Sequence, residues 1–236
     1  MITRKPELLA PAGDMDSLIA AVENGADAVY LGIKDFSARA YAGNFTVDEF
    51  REALDYAHLQ GVKVYVTLNT LIKDTEVEKV VKLMQALDEL GTDAIIVQDL
   101  GLLSLARKFV PALPVHASTQ MTIHNTEGVR FLQDMGVKRV VLAREMSLDE
   151  IREIRQNTDM EIETFVHGAL CICYSGQCLM SSFIGGRSGN RGHCAQPCRK
   201  KYALSLKGKK VSTPGKFLLS PRDLNTSPIL PELVEA

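Results

Sequence analysis

The sequence predicts an α/β fold, a (β/α)8 TIM-barrel-like ring of parallel strands, and three observations carry that expectation. A unit of helix, glycine and short aliphatic strand recurs along the first two thirds of the chain. Amphipathic helices occupy the intervals between strands. No glycine fingerprint of a dinucleotide site follows the first strand, where Ala10-Pro11-Ala12-Gly13-Asp14 stands instead, so a doubly wound sheet is the weaker choice.

The repeated unit occupies residues 24–31, 60–66, 90–97 and 135–142. Gly25, Gly61, Gly91 and Gly136 sit where a helix closes with a left-handed residue. Each following apolar run is too short for a helix and too uniform for a strand with one wet face. Buried parallel strands fit that pattern. Residues 7–10, 114–118 and 161–167 supply three more strands without the glycine signal. Helices are expected over 47–59, 76–90, 127–135 and 147–156, the last opening on a capping box of Ser147 and Glu150. Strand and helix alternating this often imply a sheet covered by helices.

The series predicts a ring one strand short. Pro231 can start a helix, residues 232–236 continue it, and no further strand follows. The expected organisation is barrel repeats over 1–168, a cysteine-rich basic loop over 169–222, and the start of a further barrel helix over 223–236.

A chain of 236 residues, 46% of them hydrophobic, can bury a large core. Tryptophan is absent and aromatics are 6%, so that core should be aliphatic. No apolar run approaches the ~20 residues of a membrane span, and residues 1–13 lack the basic start and apolar stretch of a secretory signal. A cytoplasmic location without membrane association is therefore expected. The charge is unevenly placed: residues 164–222 hold ten Lys and Arg and no Asp or Glu, whereas residues 1–163 hold 17 basic and 26 acidic side chains. Such a segment attracts anions, although a solvated basic face is the commoner fate of a charge run.

Catalytic groups of a barrel collect at the carboxyl ends of its strands. Those ends carry Asn69, Gln98, Asp99, His116, Ser118, Gln120, Arg144, Glu145 and His167. Any one could be a mere cap or turn former; together they read as a site. His167, His116, Arg144 and Glu145 are the catalytic candidates.

All five cysteines lie between residues 171 and 198, outside the expected strands and helices. Structural cysteines are usually small hydrophobes of core elements, and disulfides seldom persist in a reducing compartment. The spacing Cys171-x6-Cys178-x15-Cys194-x3-Cys198 supplies four thiolates, which suits a tetrahedral zinc or a [4Fe–4S] cluster equally. The basic surroundings favour the cluster, because Arg187, Arg191 and Arg199 would offset its negative charge. Cys173 is an extra thiol, with His167 or His193 as possible bases were it a nucleophile. No HExxH, GxSxG or Walker pattern occurs.

The stretch from Glu163 through His167-Gly168, Cys171, Tyr174-Ser175-Gly176 and Cys178 to Ser181 closely resembles the signature of peptidase family U32. So does Gly186-Arg187-Ser188-Gly189-Asn190-Arg191-Gly192-His193-Cys194-Ala195-Gln196-Pro197-Cys198-Arg199. Leu8-Leu9-Ala10-Pro11-Ala12-Gly13 and Leu219-Ser220-Pro221-Arg222-Asp223-Leu224 resemble the same family, so the likeness spans the chain. The resemblance implies two kinds of activity: collagenase-like peptidases, and oxygen-independent hydroxylases of tRNA, ribosomal RNA or ubiquinone precursors. Several of the latter carry a [4Fe–4S] cluster. Mapped here, its ligands are Cys171, Cys178, Cys194 and Cys198.

Three functions are therefore weighed. An iron–sulfur RNA hydroxylase accounts for the thiolates and for a phosphate-binding surface built from Arg187, Arg191, Arg199, Lys200 and Lys201. In it Arg144 or His116 would bind a small carboxylate hydroxyl donor such as prephenate. A peptidase with a peptide substrate leaves four cysteines without a necessary role unless they bind zinc. A non-catalytic RNA-binding module is the third.

Overall fold

The computed structural model describes residues 5–38, 40 and 42–236. Its first two thirds run β1 (Leu9–Pro11), α1 (Met15–Glu23), β2 (Ala28–Gly32), α2 (Val47–Leu59), β3 (Lys63–Leu68), α3 (Val77–Leu90) and β4 (Ala94–Val97). Then follow α4 (Leu100–Phe109), β5 (Val115–Ala117), α5 (Thr126–Asp134), β6 (Arg139–Val141), α6 (Leu148–Asn157) and β7 (Glu161–Glu163). The seven strands are parallel and lie in sequence order. A doubly wound sheet reverses its strand order part way; here every crossover steps the same way, which curls the sheet into a barrel wall. Glu7, just before β1, bonds Arg139 of β6 at 2.6 Å, a contact that only a curled sheet allows. β1 and β7 form the two edges of the wall.

Local chemistry sets the boundaries. Asp14, Asp99 and Asn125 accept the third amide of α1, α4 and α5, and Thr46 and Ser147 open α2 and α6 with reciprocal capping boxes. The four glycines of the repeat all have φ between +73° and +87°, which only glycine adopts without strain.

Alternation along each strand divides the interior in two. The face toward the helices is aliphatic, as composition predicts: Val29, Leu31, Val64, Val66, Ile95, Val97, Val115 and Val140 pack against Leu18, Phe50, Met84, Leu102, Leu132 and Ile154. The face toward the barrel axis is different. Only Ala28, Tyr65, Ala94 and Ile96, flanked by Leu9 and Tyr30, form an apolar patch there. Most of the rest of that face is polar, with Val141 an exception that lines the cavity.

Two expectations shift. The strand expected over 161–167 stops at Glu163, and His167 belongs instead to β8 (His167–Gly168). His116 lies inside β5 and is 5% exposed, so it is a layer below the rim rather than on it. The inward register that continues to Ser118 carries the polar rim, and His116 meets Tyr65 edge to face at 4.7 Å.

Beyond β8 the chain forms α7 (Met180–Gly185), a hairpin of β9 (Ser205–Leu206) and β10 (Lys209–Lys210), then β11 (Leu224–Asn225) and α8 (Leu230–Glu235). β11 pairs antiparallel with β8, so the cysteine-rich segment leaves and rejoins the barrel at one point. Leu233 and Ala236 in and after α8 pack on the main core, where a further barrel helix was expected. No helix among the described residues is long and apolar enough to cross a membrane.

Candidate active site

The carboxyl ends of the strands open on a cavity of about 670 Å³ whose walls come from two sources. Asn69, Ser118, Arg144, Glu163 and His167 contribute from the barrel; Cys171, Cys178, Cys194 and Cys198 contribute from the loop. Residues 169–199 thus roof the barrel mouth, and the roof is fastened at several places.

Ser175 is the first fastening. It is fully buried; its hydroxyl donates to both Glu145 oxygens at 3.1 and 3.2 Å, and its amide reaches Glu145 Oε1 at 2.9 Å. Arg144 donates to the same hydroxyl through its amide at 3.3 Å and its Nε at 3.1 Å. His124 stands 3.5 Å from Glu145. The carboxylate lies between serine and imidazole, whereas a hydrolytic triad needs the imidazole in the middle. This trio is a clasp.

Arg191 is the second fastening, since it holds Glu76 with two nitrogens at 2.6 and 2.9 Å and Leu71 O at 2.6 Å. The guanidinium keeps the Glu76 carboxyl down at about 2. Arg199 ties the loop to itself through Leu170 O at 2.6 Å and Pro221 O at 3.0 Å. Both arginines were expected to face RNA, and both are instead spent within the fold. Backbone contact completes the docking. At Gly176 and Gly192, φ is +73° and +78°, and any Cβ would strike Gln120 O and Ser37 O.

The four thiols named from spacing share the cavity wall, and Cys173 does not line it. Burial raises the Cys198 thiol, and nearby Cys171, Cys194 and Cys178 raise it further against the pull of Arg199. Burial likewise raises the free Cys173 thiol, and a hydrogen bond with the Cys178 thiol adds to the rise. Cys194 Sγ accepts from Ser181 Oγ at 3.8 Å and from the Gln196 amide at 3.4 Å, the latter turned inward by a left-handed Gln196 with φ +52°. Hydrogen bonds of this kind stabilise thiolates that hold metal. Four thiols on one cavity wall, one with sulfur-directed donors, are the donor set an iron–sulfur group would need, although no three His, Cys, Asp or Glu among the described residues are disposed to hold a metal ion in this arrangement.

Several rim groups double as caps: Asn69 accepts the Ala38 amide at 2.9 Å, and Asp99 accepts those of Leu102 and Ile72 at 2.9 and 3.0 Å. Arg187 turns toward the loop, its Nε 3.4 Å from His193 O. Lys200 and Lys201 are exposed, as are Lys207, Lys209 and Lys210 of the β9–β10 hairpin, and none of the five pairs with a carboxylate among the described residues.

Sequence reading did not find the polar network below the cavity. Arg139 bonds Glu7 at 2.6 Å and Glu161 at 2.8 and 3.0 Å, and its Nη1 stands 3.5 Å from Glu163. Lys63 and Tyr65 also bond Glu7, at 3.0 and 2.8 Å. Burial would raise the Glu7 carboxyl, but these donors hold it at about 2. Burial and Arg139 push His116 down to about 3, so it is neutral. The missed signal was charged or polar residues at every second strand position, Lys63-x-Tyr65 and Glu161-x-Glu163, where a buried strand should be apolar.

Residues 13–236 match the sequence model described as peptidase family U32. The chain is 40% identical over its whole length to "tRNA hydroxylation protein P1" of Bacillus subtilis, and covers 57% of that protein. It is 45% identical over 98% of its length to "23S rRNA 5-hydroxycytidine C2501 synthase" of Escherichia coli, covering 35% of it. Other relatives bear protease or collagenase names. The chain thus spans about half or less of the length of these curated relatives. Among solved structures, one titled "The Structure of the U32 Peptidase Mk0906" superposes with a TM-score of 0.60 over 70% of each chain at 16% identity, a likeness of fold alone.

Proposed function

The chain belongs to peptidase family U32, and from that membership we propose that it is the barrel of an iron–sulfur-dependent, oxygen-independent hydroxylase of tRNA or ribosomal RNA. The observation that carries this reading is the roof of four cysteines over a polar barrel cavity. A peptidase has no evident use for it. Two relatives at 40% and 45% identity bear the names of RNA hydroxylation proteins, which supports the same choice.

Cys171, Cys178, Cys194 and Cys198 would hold a [4Fe–4S] cluster, with zinc as the competing occupant. When bound, the cluster would supply one-electron chemistry beside the cavity. The chain's own groups do the remaining work. Ser181 and Gln196 direct hydrogen bonds to a ligand sulfur. Arg144, anchored through Ser175, offers a fixed cation for a small carboxylate donor such as prephenate, and His167 lines the same cavity. His116, buried and neutral below, shapes the interior and does not line the cavity. Lys200, Lys201, Lys207, Lys209 and Lys210 would grip phosphates in sequence-independent fashion, as a cytoplasmic RNA-modifying protein requires. The three-part organisation expected from sequence then has a functional sense, with residues 1–168 as scaffold, 169–222 as roof and 223–236 as a return to the barrel.

The test is anaerobic incubation of the full-length protein with unmodified RNA and candidate carboxylate donors, followed by nucleoside mass spectrometry. A gain of one oxygen on a pyrimidine nucleoside is expected. Cleavage of gelatin with no RNA oxidation would replace this reading with the peptidase one.

A further inference from the structure

The cavity contains a carboxyl that neither the cysteine roof nor the rim groups explain. Glu163 is the last residue of β7, points toward the barrel axis in register with Val141, and lines the cavity. Its Oε2 is buried and receives no hydrogen bond among the described residues. Its side chain is 19% exposed, against 62% for Glu161 two residues earlier on the same face.

Among the described residues, the cation within ion-pair reach of Glu163 is Arg139, and it is already committed. Arg139 gives Nη1 to Glu7 at 2.6 Å and directs Nε and Nη2 to Glu161 at 3.0 and 2.8 Å, leaving Glu163 a contact of 3.5 Å. Lys63 and the Tyr65 hydroxyl, the other donors nearby, also serve Glu7. His116, two strands away on β5, is neutral. One guanidinium therefore faces three carboxylates, and Glu163 is the one left without its share.

We propose that Glu163 is the proton-transfer residue of this cavity, taking a proton from an N–H or O–H of the bound substrate and returning it later in the cycle. In the step an O–H bond forms on Oε2, the substrate's bond to hydrogen breaks, and its electron pair stays on the substrate. The unpartnered acceptor is matched to a ligand that presents a donor, as a nucleobase edge does. Burial, opposed only in part by Arg139 and helped by Glu7, raises the carboxyl to about 7, where a general base works best. The proposal rests on the cavity being the reaction site.

Two measurements on the full-length, anaerobically prepared protein decide it. Infrared titration with labelled glutamate should show one protonated carboxyl persisting to near pH 7 and absent from Glu163→Gln. The pH profile of turnover should rise through the same range, and Glu163→Gln should lose that limb with a fall of roughly 100- to 10,000-fold, the range of one acid–base group. Glu161→Gln releases two donors of Arg139 toward Glu163 and should move both the infrared titration and the limb to lower pH. A merely structural carboxyl would not shift the profile in that way. Glu163 titrating in the ordinary carboxylate range, or Glu163→Gln retaining rate and limb, overturns the proposal. Turnover of gelatin instead of RNA overturns the hydroxylase reading alone, and the same Glu163→Gln comparison then applies to that activity. A cluster-loaded protein inactive on both substrates overturns the two together.

Discussion

At the scale of single residues, the barrel interior departs from the aliphatic core that composition suggests, and Glu7 shows how the departure is stabilised. Its carboxyl, 20% exposed, collects Arg139, Lys63 and Tyr65 and is held at about 2 against an ordinary value of 4.5. A carboxyl depressed on folding adds stability above its unfolded value and loses it as pH falls through the folded one. Glu7→Gln should therefore cost about 3 kcal/mol at pH 7, and the gap to wild type in urea midpoints should close between pH 4.5 and 2. A gap independent of pH would contradict the network. The cysteines were legible in sequence because four thiols crowded in a basic loop have few other uses. Glu163 was not, because its meaning depends on Arg139, 24 positions earlier in sequence, being spent on two other partners. Arg191 and Arg199 were read as surface cations for the converse reason: sequence shows their charge and hides Glu76, Leu170 and Pro221.

At the scale of elements, the helix–glycine–strand repeat was readable because its signals are local. A capping side chain, an amphipathic period and a left-handed glycine need no knowledge of distant contacts. The capping box at Ser147 and the ends at Gly25, Gly61, Gly91 and Gly136 fall where sequence places them. The bounds of β7 were missed because residues 164–167 remain apolar enough to extend a strand, while pairing of β8 with β11 draws His167 into another sheet. How the cysteine segment docks is likewise a tertiary matter, decided at Gly176, Gly192 and Ser175. Gly192→Ala combines a left-handed φ with a clash on Ser37 O, so the roof should lift. Gly208→Ala, with φ +78° in open space, meets only the backbone strain of about 1 kcal/mol. Limited proteolysis should accordingly nick residues 169–199 in Gly192→Ala and spare them in Gly208→Ala; equal protection in both would show that the roof is held elsewhere.

At the scale of the whole molecule, charge is partitioned: carboxylates concentrate in the barrel and cations in the roof. Two of the roof's arginines are internal ties, which leaves the lysines as the free electrostatic surface. If they meet phosphates, log affinity for RNA falls with log salt by about 0.7 to 0.9 for each contact. Replacing Lys200 and Lys201 by Ala should flatten that slope by roughly two contacts and weaken all RNA sequences alike. An unchanged slope would move the surface elsewhere. The fold itself was legible at this scale, since seven strands in sequence order follow from the repeat, and the resemblance of the cysteine motifs fixed the family.

The central claim is that Cys171, Cys178, Cys194 and Cys198 hold an iron–sulfur cluster over the barrel cavity, and metal analysis of anaerobically purified protein addresses it most directly. The account predicts brown protein with about four iron atoms and matching sulfide per chain, unchanged in Cys173→Ser and lost in Cys194→Ser. Stoichiometric zinc without iron after anaerobic reconstitution would contradict it.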